Sequence, residues 1–310
     1  MGEARIIVNP IAGNEKGLIY AGQLASRLAQ DFALVSLVKT AVGEGAAPPA
    51  RQAAEAGVEA LFVIGGDGTV NEAIEGLVQA QVDQLPVFGV IPSGTFNGVS
   101  RILNFPPRPQ DAIRRLDLKR TEPLDIGLCN RRAFSFIFSI GDIPESIHNV
   151  SAADKASFGM WAYLSSVVRT STKNNSYQLD LDIDGKKVSG LYSHLVILLS
   201  ATLNNLNIVG VEAAKDDGWF HIFLLKESNF WEKFSVLKDL LLSNAAEHRQ
   251  VEYYRGKQVR ISSPDDLVET DVEGERGDDL PVELKVLPSY LTAYTLAKKR
   301  GDQPGLEKKG

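Results

Sequence analysis

Residues 61–77 read LFVIGGDGTVNEAIEGL, and the hydrophobic period changes in the middle of them. Leu61 to Ile64 is an unbroken apolar run, as in a strand buried on both faces, whereas from Val70 to Gln81 the apolar residues fall at helical spacing. GGDGT lies between the two, and by itself it supports two readings. In the first it is only a tight turn, with Gly68 turning the chain and Asp67 and Thr69 capping the helix. In the second it cradles phosphate, because a strand handing over to a helix aims backbone N–H groups and the helix N-terminus at the strand's carboxyl end. A carboxylate in such a loop repels phosphate unless a divalent cation, usually Mg²⁺, sits between them, which makes Asp67 a candidate partner of Mg²⁺.

The flanking sequence repeats the pattern. ARIIVNP (4–10), ALVSLVKT (33–40) and PVFGVIPSG (86–94) are further strand candidates. Helical segments are expected from Lys16 to Gln30, in the later part of EGAAPPARQAAEAG where Gly57 ends it, and near Asn97 to Leu103. Strand and helix alternating at this pace predict a doubly wound parallel sheet, with ligand at the carboxyl ends of its strands. Two more of those ends carry small polar residues: NPIAGN at Asn9 to Asn14, and IPSGTFNG at Ile91 to Gly98. Three such ends on one edge favour the cradle over the turn. Neither G-x-x-x-x-G-K-[ST] nor G-x-G-x-x-G followed by an acidic residue occurs, so a Walker NTPase and a Rossmann dehydrogenase are disfavoured.

Beyond residue 122 the chain turns strand-rich: LDIGLCNRRAFSFIFSIG, SYQLDLDIDGKKVSGLYSHLVILLSA, GWFHIFLLKE, KQVRISS and PVELKVLPSYLTAYTL. Successive antiparallel strands are expected, with a hairpin at Asp184-Gly185, a turn at Cys129-Asn130-Arg131, and helical inserts at Lys155 to Thr170 and Phe230 to Leu242. The expected division is 1–122, 123–298 and a flexible tail at 299–310.

Composition narrows the function classes. The 310 residues are 44% hydrophobic and 23% charged, ordinary for a globular protein. A net charge of −6 argues against a general nucleic-acid binder. Cys129 is the only cysteine, so an intramolecular disulfide and a thiolate metal cage are excluded and a cytoplasmic protein is expected. No apolar stretch of about 18 residues occurs, so no transmembrane segment is expected and membrane contact would be peripheral. His148, His194, His221 and His248 are scattered singly, without metal-site spacing. Arg114-Arg115, Lys119-Arg120 and Arg131-Arg132 read as solvated faces, or, if clustered in space, as a steering patch for an anionic membrane.

GGDGTVNEAIEGL, PSGTFN and NPIAG together resemble the diacylglycerol kinase catalytic domain family, which includes bacterial soluble lipid kinases and is related to sphingosine and ceramide kinases. AAKDDGWFHIF and VEGERGDDLPVELKVLP extend the resemblance to nearly the whole chain. The resemblance implies an N-terminal nucleotide-binding α/β domain, a C-terminal antiparallel β-sandwich and a cleft between them. It implies a kinase that uses ATP and Mg²⁺ to phosphorylate a lipid alcohol at a membrane surface, most simply diacylglycerol, with a homodimer compatible. Kinases for a sphingoid base or monoacylglycerol, a non-catalytic homologue and, third, an NAD kinase are the alternatives. By position, Asn9, Pro10, Ile11, Ala12, Gly13, Thr40, Gly65, Gly66, Asp67, Gly68, Thr69, Val70, Asn71, Glu72 and Thr95 resemble the ATP-binding residues. Asp125 resembles an acidic residue at the domain junction serving the same site, and Asp217 a ligand of a structural Mg²⁺ with the carbonyls of Ala214 and Trp219. Glu275 resembles the proton acceptor. Two positions depart from the family pattern: Gly98 stands where an aspartate is usual, and Glu273 replaces the aspartate of a DGE segment.

Overall fold

The computed structural model describes residues 2–41, 43–141, 176–200, 202–203, 206–207, 214–226, 250–265 and 267–296. The helical inserts expected at 155–170 and 230–242 and the tail from 299 lie outside the described residues.

The first half alternates as the sequence predicts. In chain order it runs β1 (Glu3–Val8), α1 (Ala12–Glu15), α2 (Gly17–Leu28), β2 (Leu34–Lys39), α3 (Ala47–Glu55), β3 (Ala60–Gly65), α4 (Asp67–Gln79), β4 (Val87–Pro92), α5 (Gly98–Ile102) and α6 (Pro109–Arg115). The strands lie parallel in the order β2-β1-β3-β4. All six residues of β3 are buried, which is why that strand reads as continuous hydrophobicity rather than alternation. Helix α4 begins at Asp67, three residues before the sequence estimate. Gly66, extended at φ −85° and ψ −175°, is its N-cap, so Asp67-Gly68-Thr69 form its first turn instead of preceding it. The short helix α6 has no counterpart among the expected elements; its signal is Pro109 at the first turn, where a missing N–H costs nothing.

The second half is antiparallel. Its strands are β5 (Thr121–Cys129), β6 (Arg132–Phe134), β7 (Ile137–Ile140), β8 (Tyr177–Ile183), β9 (Lys186–Leu198), the two-residue pair β10 (Thr202–Leu203) and β11 (Leu206–Asn207), β12 (Phe220–Lys226), β13 (Val251–Gly256), β14 (Gln258–Ser262), β15 (Glu269–Val272), β16 (Glu275–Asp279) and β17 (Val282–Tyr294). The Asp184-Gly185 turn joins β8 to β9 with both residues at positive φ, 50° and 90°, as a two-residue hairpin requires. Asp184 also accepts the N–H groups of Lys257 and Gln258, both at 2.8 Å, pinning β14 beside the hairpin.

Strand β17 joins the halves. It pairs antiparallel with β14 and β5, and at Ala293 it pairs parallel with Phe88 of β4, adding a strand to the parallel sheet. Tyr294 stacks on Phe62 of β3, with ring centroids 5.1 Å apart, and buries that end of β17 in the first core. A second cluster of buried residues, including Phe134, Phe138, Phe220 and Leu284, fills the antiparallel half.

Candidate nucleotide and acceptor site

The three polar strand ends meet. The Asn9 N–H continues the ladder to Ile64 O (3.0 Å), the Ser93 N–H to Gly65 O (3.1 Å), and the Gly13 N–H reaches Ser93 O (3.1 Å). Thr40 N–H bonds Val8 O (2.9 Å), placing Thr40 at the end of β2 beside this wall. Asn9 Oδ1 accepts the Ile11 N–H (3.2 Å) and Asn9 Nδ2 donates to Thr69 Oγ1 (3.4 Å), tying NPIAG to GGDGT. Pro10 and Ala12 are half-buried along the same turn, and Ile11 is 73% exposed. The wall is made largely of backbone because its loops approach too closely for side chains. A Cβ on Gly94 would lie 2.5 Å from Gly66 Cα, and one on Gly65 2.5 Å from Thr69 Cβ. Thr95 is exposed at the lip, while Val70 turns into the core beneath it.

Asp67 does not cap its own helix. Its Oδ2 accepts the Asn97 N–H (2.8 Å) and its Oδ1 the Gly98 N–H (2.6 Å), the donors at the start of α5. Asn97 holds that start in the left-handed region, φ 56° and ψ 53°, with its side-chain amide bonded to both the N–H and C=O of Gly94 at 2.8 Å. The Asp67 carboxylate therefore cross-links GGDGT to PSGTFNG. Burial pushes its pKa up, while the Asn97 and Gly98 N–H groups and the Arg101 charge oppose that. Each of its oxygens keeps a further lone pair, so the carboxylate suits a hard cation. Gly98 lies against it: a Cβ there would be 3.7 Å from Asp67 Oδ1, so an aspartate at 98 would add a second carboxylate beside the first. Glu72 serves the neighbouring loop, with Oε2 accepting the Ala46 N–H (2.8 Å) at the start of α3.

The opposite wall is the hairpin β15–β16. A methyl built on Gly68 would lie 3.4 Å from Glu275 Oε1, so Glu275 stands directly over the GGDGT turn. Arg132 Nη2 donates to Glu275 Oε2, and Arg132 Nη1 to Arg276 O (2.9 Å), so the hairpin is gripped from β6. Arg132 is thus part of the site and not simply a solvated charge. The turn residue Glu273 reaches the other way: its Oε1 accepts the N–H groups of Ser135 (2.6 Å) and Phe136 (2.7 Å). Ser135 Oγ lies 3.2 Å from that same oxygen and 2.8 Å from Asn71 Oδ1 on α4. Burial pushes Glu273 up to about 7, with the Asp67 charge adding to the rise and the Ser135 and Phe136 bonds opposing it. Ser135 and Arg132 carry no local motif; they enter the site through partners 64 to 143 residues away.

A second group surrounds Asp125. Its Oδ1 accepts the Ser289 N–H at the β17 bulge and its Oδ2 the Gly218 N–H, both at 2.6 Å. Burial pushes Asp125 up, and the charges of Asp217 and Asp216 add to it. Asp217 Oδ1 accepts the Trp219 N–H (3.0 Å), Asp217 Oδ2 lies 3.0 Å from His221 Nε2, and Ala214 O accepts the Asp217 N–H (3.4 Å). The Asp217 carboxylate and the Ala214 carbonyl are hard oxygen donors of the kind Mg²⁺ takes, and among the described residues no group of three or more His, Cys, Asp or Glu side chains comes together as a metal site.

Residues 3–129 match the family model described as "Diacylglycerol kinase catalytic domain", and residues 146–295 that described as "YegS C-terminal NAD kinase beta sandwich-like domain". A Streptococcus pneumoniae protein named "Putative lipid kinase" is 33% identical over 299 residues, covering 96% of this chain and 100% of the relative. A Staphylococcus aureus protein of the same name is 28% identical over 245 residues, 77% of this chain and 78% of the relative. A crystal structure described as that of a diacylglycerol kinase from Bacillus anthracis superposes with a TM-score of 0.76 at 24% identity, over 95% of this chain and 97% of the other. That likeness agrees with the fold of the described residues: an α/β N-terminal half and a β-sandwich-like C-terminal half.

Proposed function

Because this chain belongs to the diacylglycerol kinase catalytic domain family, we propose that it is an ATP- and Mg²⁺-dependent lipid kinase whose acceptor is the hydroxyl of a lipid alcohol, most simply diacylglycerol. The observation that carries this is the position of Glu275, held directly over a wall of backbone groups at the ends of parallel strands. Such a wall binds phosphate without side chains, since N–H groups at strand ends and the α4 N-terminus offset its charge. Glu275 then faces the reacting end of the nucleotide and accepts the proton of the attacking hydroxyl. Asp67 fixes the two glycine-rich loops relative to each other, so the wall keeps its shape before nucleotide arrives. When bound, Mg²⁺ would offset charge on the phosphate oxygens; Asp67 would hold it at the nucleotide, and Asp217 with the carbonyls of Ala214 and Trp219 would hold a structural ion. Among the described residues no helix is long and apolar enough to cross a membrane, and the proposed contact with the lipid surface is peripheral.

Purified protein incubated with labelled ATP, Mg²⁺ and a panel of lipid alcohols, with NAD beside them, tests the reading. Label in phosphatidic acid is the expected result. Label in NAD instead of lipid would overturn it.

A further inference from the structure

Glu273 occupies a position its side chain does not suit. It and Gly274 form the two-residue turn of β15–β16, with φ 60° and 84°. The first place in such a turn favours Asn, Asp or Gly, whose side chains tolerate the left-handed region. A glutamate held there is an outlier, and backbone outliers persist where the surroundings use them. The surroundings here supply the use. Between β6 and β7 the chain bends at Ser135-Phe136, leaving two adjacent N–H groups outside either strand ladder, and both donate to Glu273 Oε1. In the observed geometry its two methylenes carry the Glu273 carboxylate from the turn to that bend. The same bend reaches the nucleotide wall, because Ser135 Oγ lies 2.8 Å from Asn71 Oδ1 on α4.

We propose that Glu273 is a positioning residue, a clamp that fixes the Glu275 hairpin to the Ser135-Phe136 bend and, through Ser135, to the α4 helix of the nucleotide wall. The inference rests on the lipid-kinase reading for its functional consequence, though not for the clamp. The β15–β7 ladder from Thr270 to Val272 and the Glu273 N–H on Ile137 O (3.0 Å) set the register of the hairpin; the Glu273 carboxylate adds a side-chain tie at the turn itself, two residues before Glu275, whose tip is held by Arg132. Reach is what the clamp needs; a full charge is not.

Two variants separate reach from turn preference. Glu273→Asn suits the turn and is too short to reach the bend, whereas Glu273→Gln keeps the length and an acceptor oxygen. For Glu273→Asn the expected results are a melting temperature equal to or above wild type and exchange of the Ser135 and Phe136 amides roughly tenfold faster. Turnover with ATP and diacylglycerol should fall roughly 10²-fold, the cost of a misplaced group, while KM for ATP stays unchanged. Glu273→Gln should rescue both amide protection and most of the turnover. Protected amides in Glu273→Asn, or full turnover despite fast exchange, would overturn the clamp, as would a Gln variant as impaired as Asn. Exchange needs no substrate, so a wild-type protein inactive on every lipid alcohol would sink the lipid-kinase reading while the amides still decide the clamp.

Discussion

The two walls of the cleft are built in opposite ways. The nucleotide wall is backbone: Gly65, Gly66, Gly94 and Gly98 let two loops close on one another, NPIAGN joins them through the Gly13 N–H on Ser93 O, and their bonds continue the parallel ladders beneath. The acceptor wall is side chains: Glu275 is gripped by Arg132, and Glu273 is half-buried and held in a turn conformation that glutamate disfavours. The first arrangement is stable in itself, since each close approach also satisfies a strand end. The second works against stability to hold carboxylates over the glycine-rich turn, as strained and desolvated groups at functional sites do.

That contrast can be broken most sharply at Glu275. In Glu275→Gln, turnover should fall by about 10²–10⁴-fold, the usual worth of a general base, with ATP affinity by calorimetry unchanged. Persistent lipid phosphorylation at the wild-type rate would remove the division of labour between the walls.

The reverse test is Gly94→Ala. Its methyl would lie 2.5 Å from Gly66 Cα, backbone that cannot rotate away, so the two loops must separate. Unfolding titrations should show a loss of roughly 1–3 kcal/mol, as in other overpacked sites, together with weaker ATP binding. An alanine variant that binds ATP normally would mean that close loop approach does not shape the wall.

A pH series sharpens the claim that the acceptor wall costs stability. Glu273 sits near 7 against an ordinary 4.5, so folding favours its protonated form. Its contribution is complete below about 4.5 and is lost as pH rises through about 7. Relative to Glu273→Gln, wild type should therefore lose stability between those limits, read from urea midpoints at several pH values. Parallel curves for the two proteins would show that Glu273 is not shifted.

The smallest effect is expected outside both walls. Arg114, 76% exposed and paired with Asp111, should cost under about 0.5 kcal/mol when changed to alanine. If Arg114 and Lys119 steer the protein to anionic lipid, vesicle binding should weaken as salt is added.

The nucleotide wall was legible in the sequence because its determinants are neighbours. An apolar run, a glycine turn and a helical period follow one another within residues 61–77, and the same grammar recurs at NPIAGN and PSGTFNG. Asp184-Gly185 announced its hairpin in the same local way. Asp67 was visible as a candidate, but its partners were not: the turn reading assigned it to its own helix, and the fold gives its carboxylate to Asn97 and Gly98, about thirty residues on.

Composition and period thus determined by themselves the parallel sheet, the edge where its loops gather and the antiparallel half, since side-chain alternation, helical spacing and turn chemistry are properties of adjacent residues. Only the tertiary structure decided that β17 returns to lie beside β4, that Arg132 grips Glu275, and that Glu273 reaches Ser135 and Phe136 across 138 and 137 positions of chain. Such pairings depend on which distant surfaces are brought together when both cores close, and no local pattern in the chain encodes that choice.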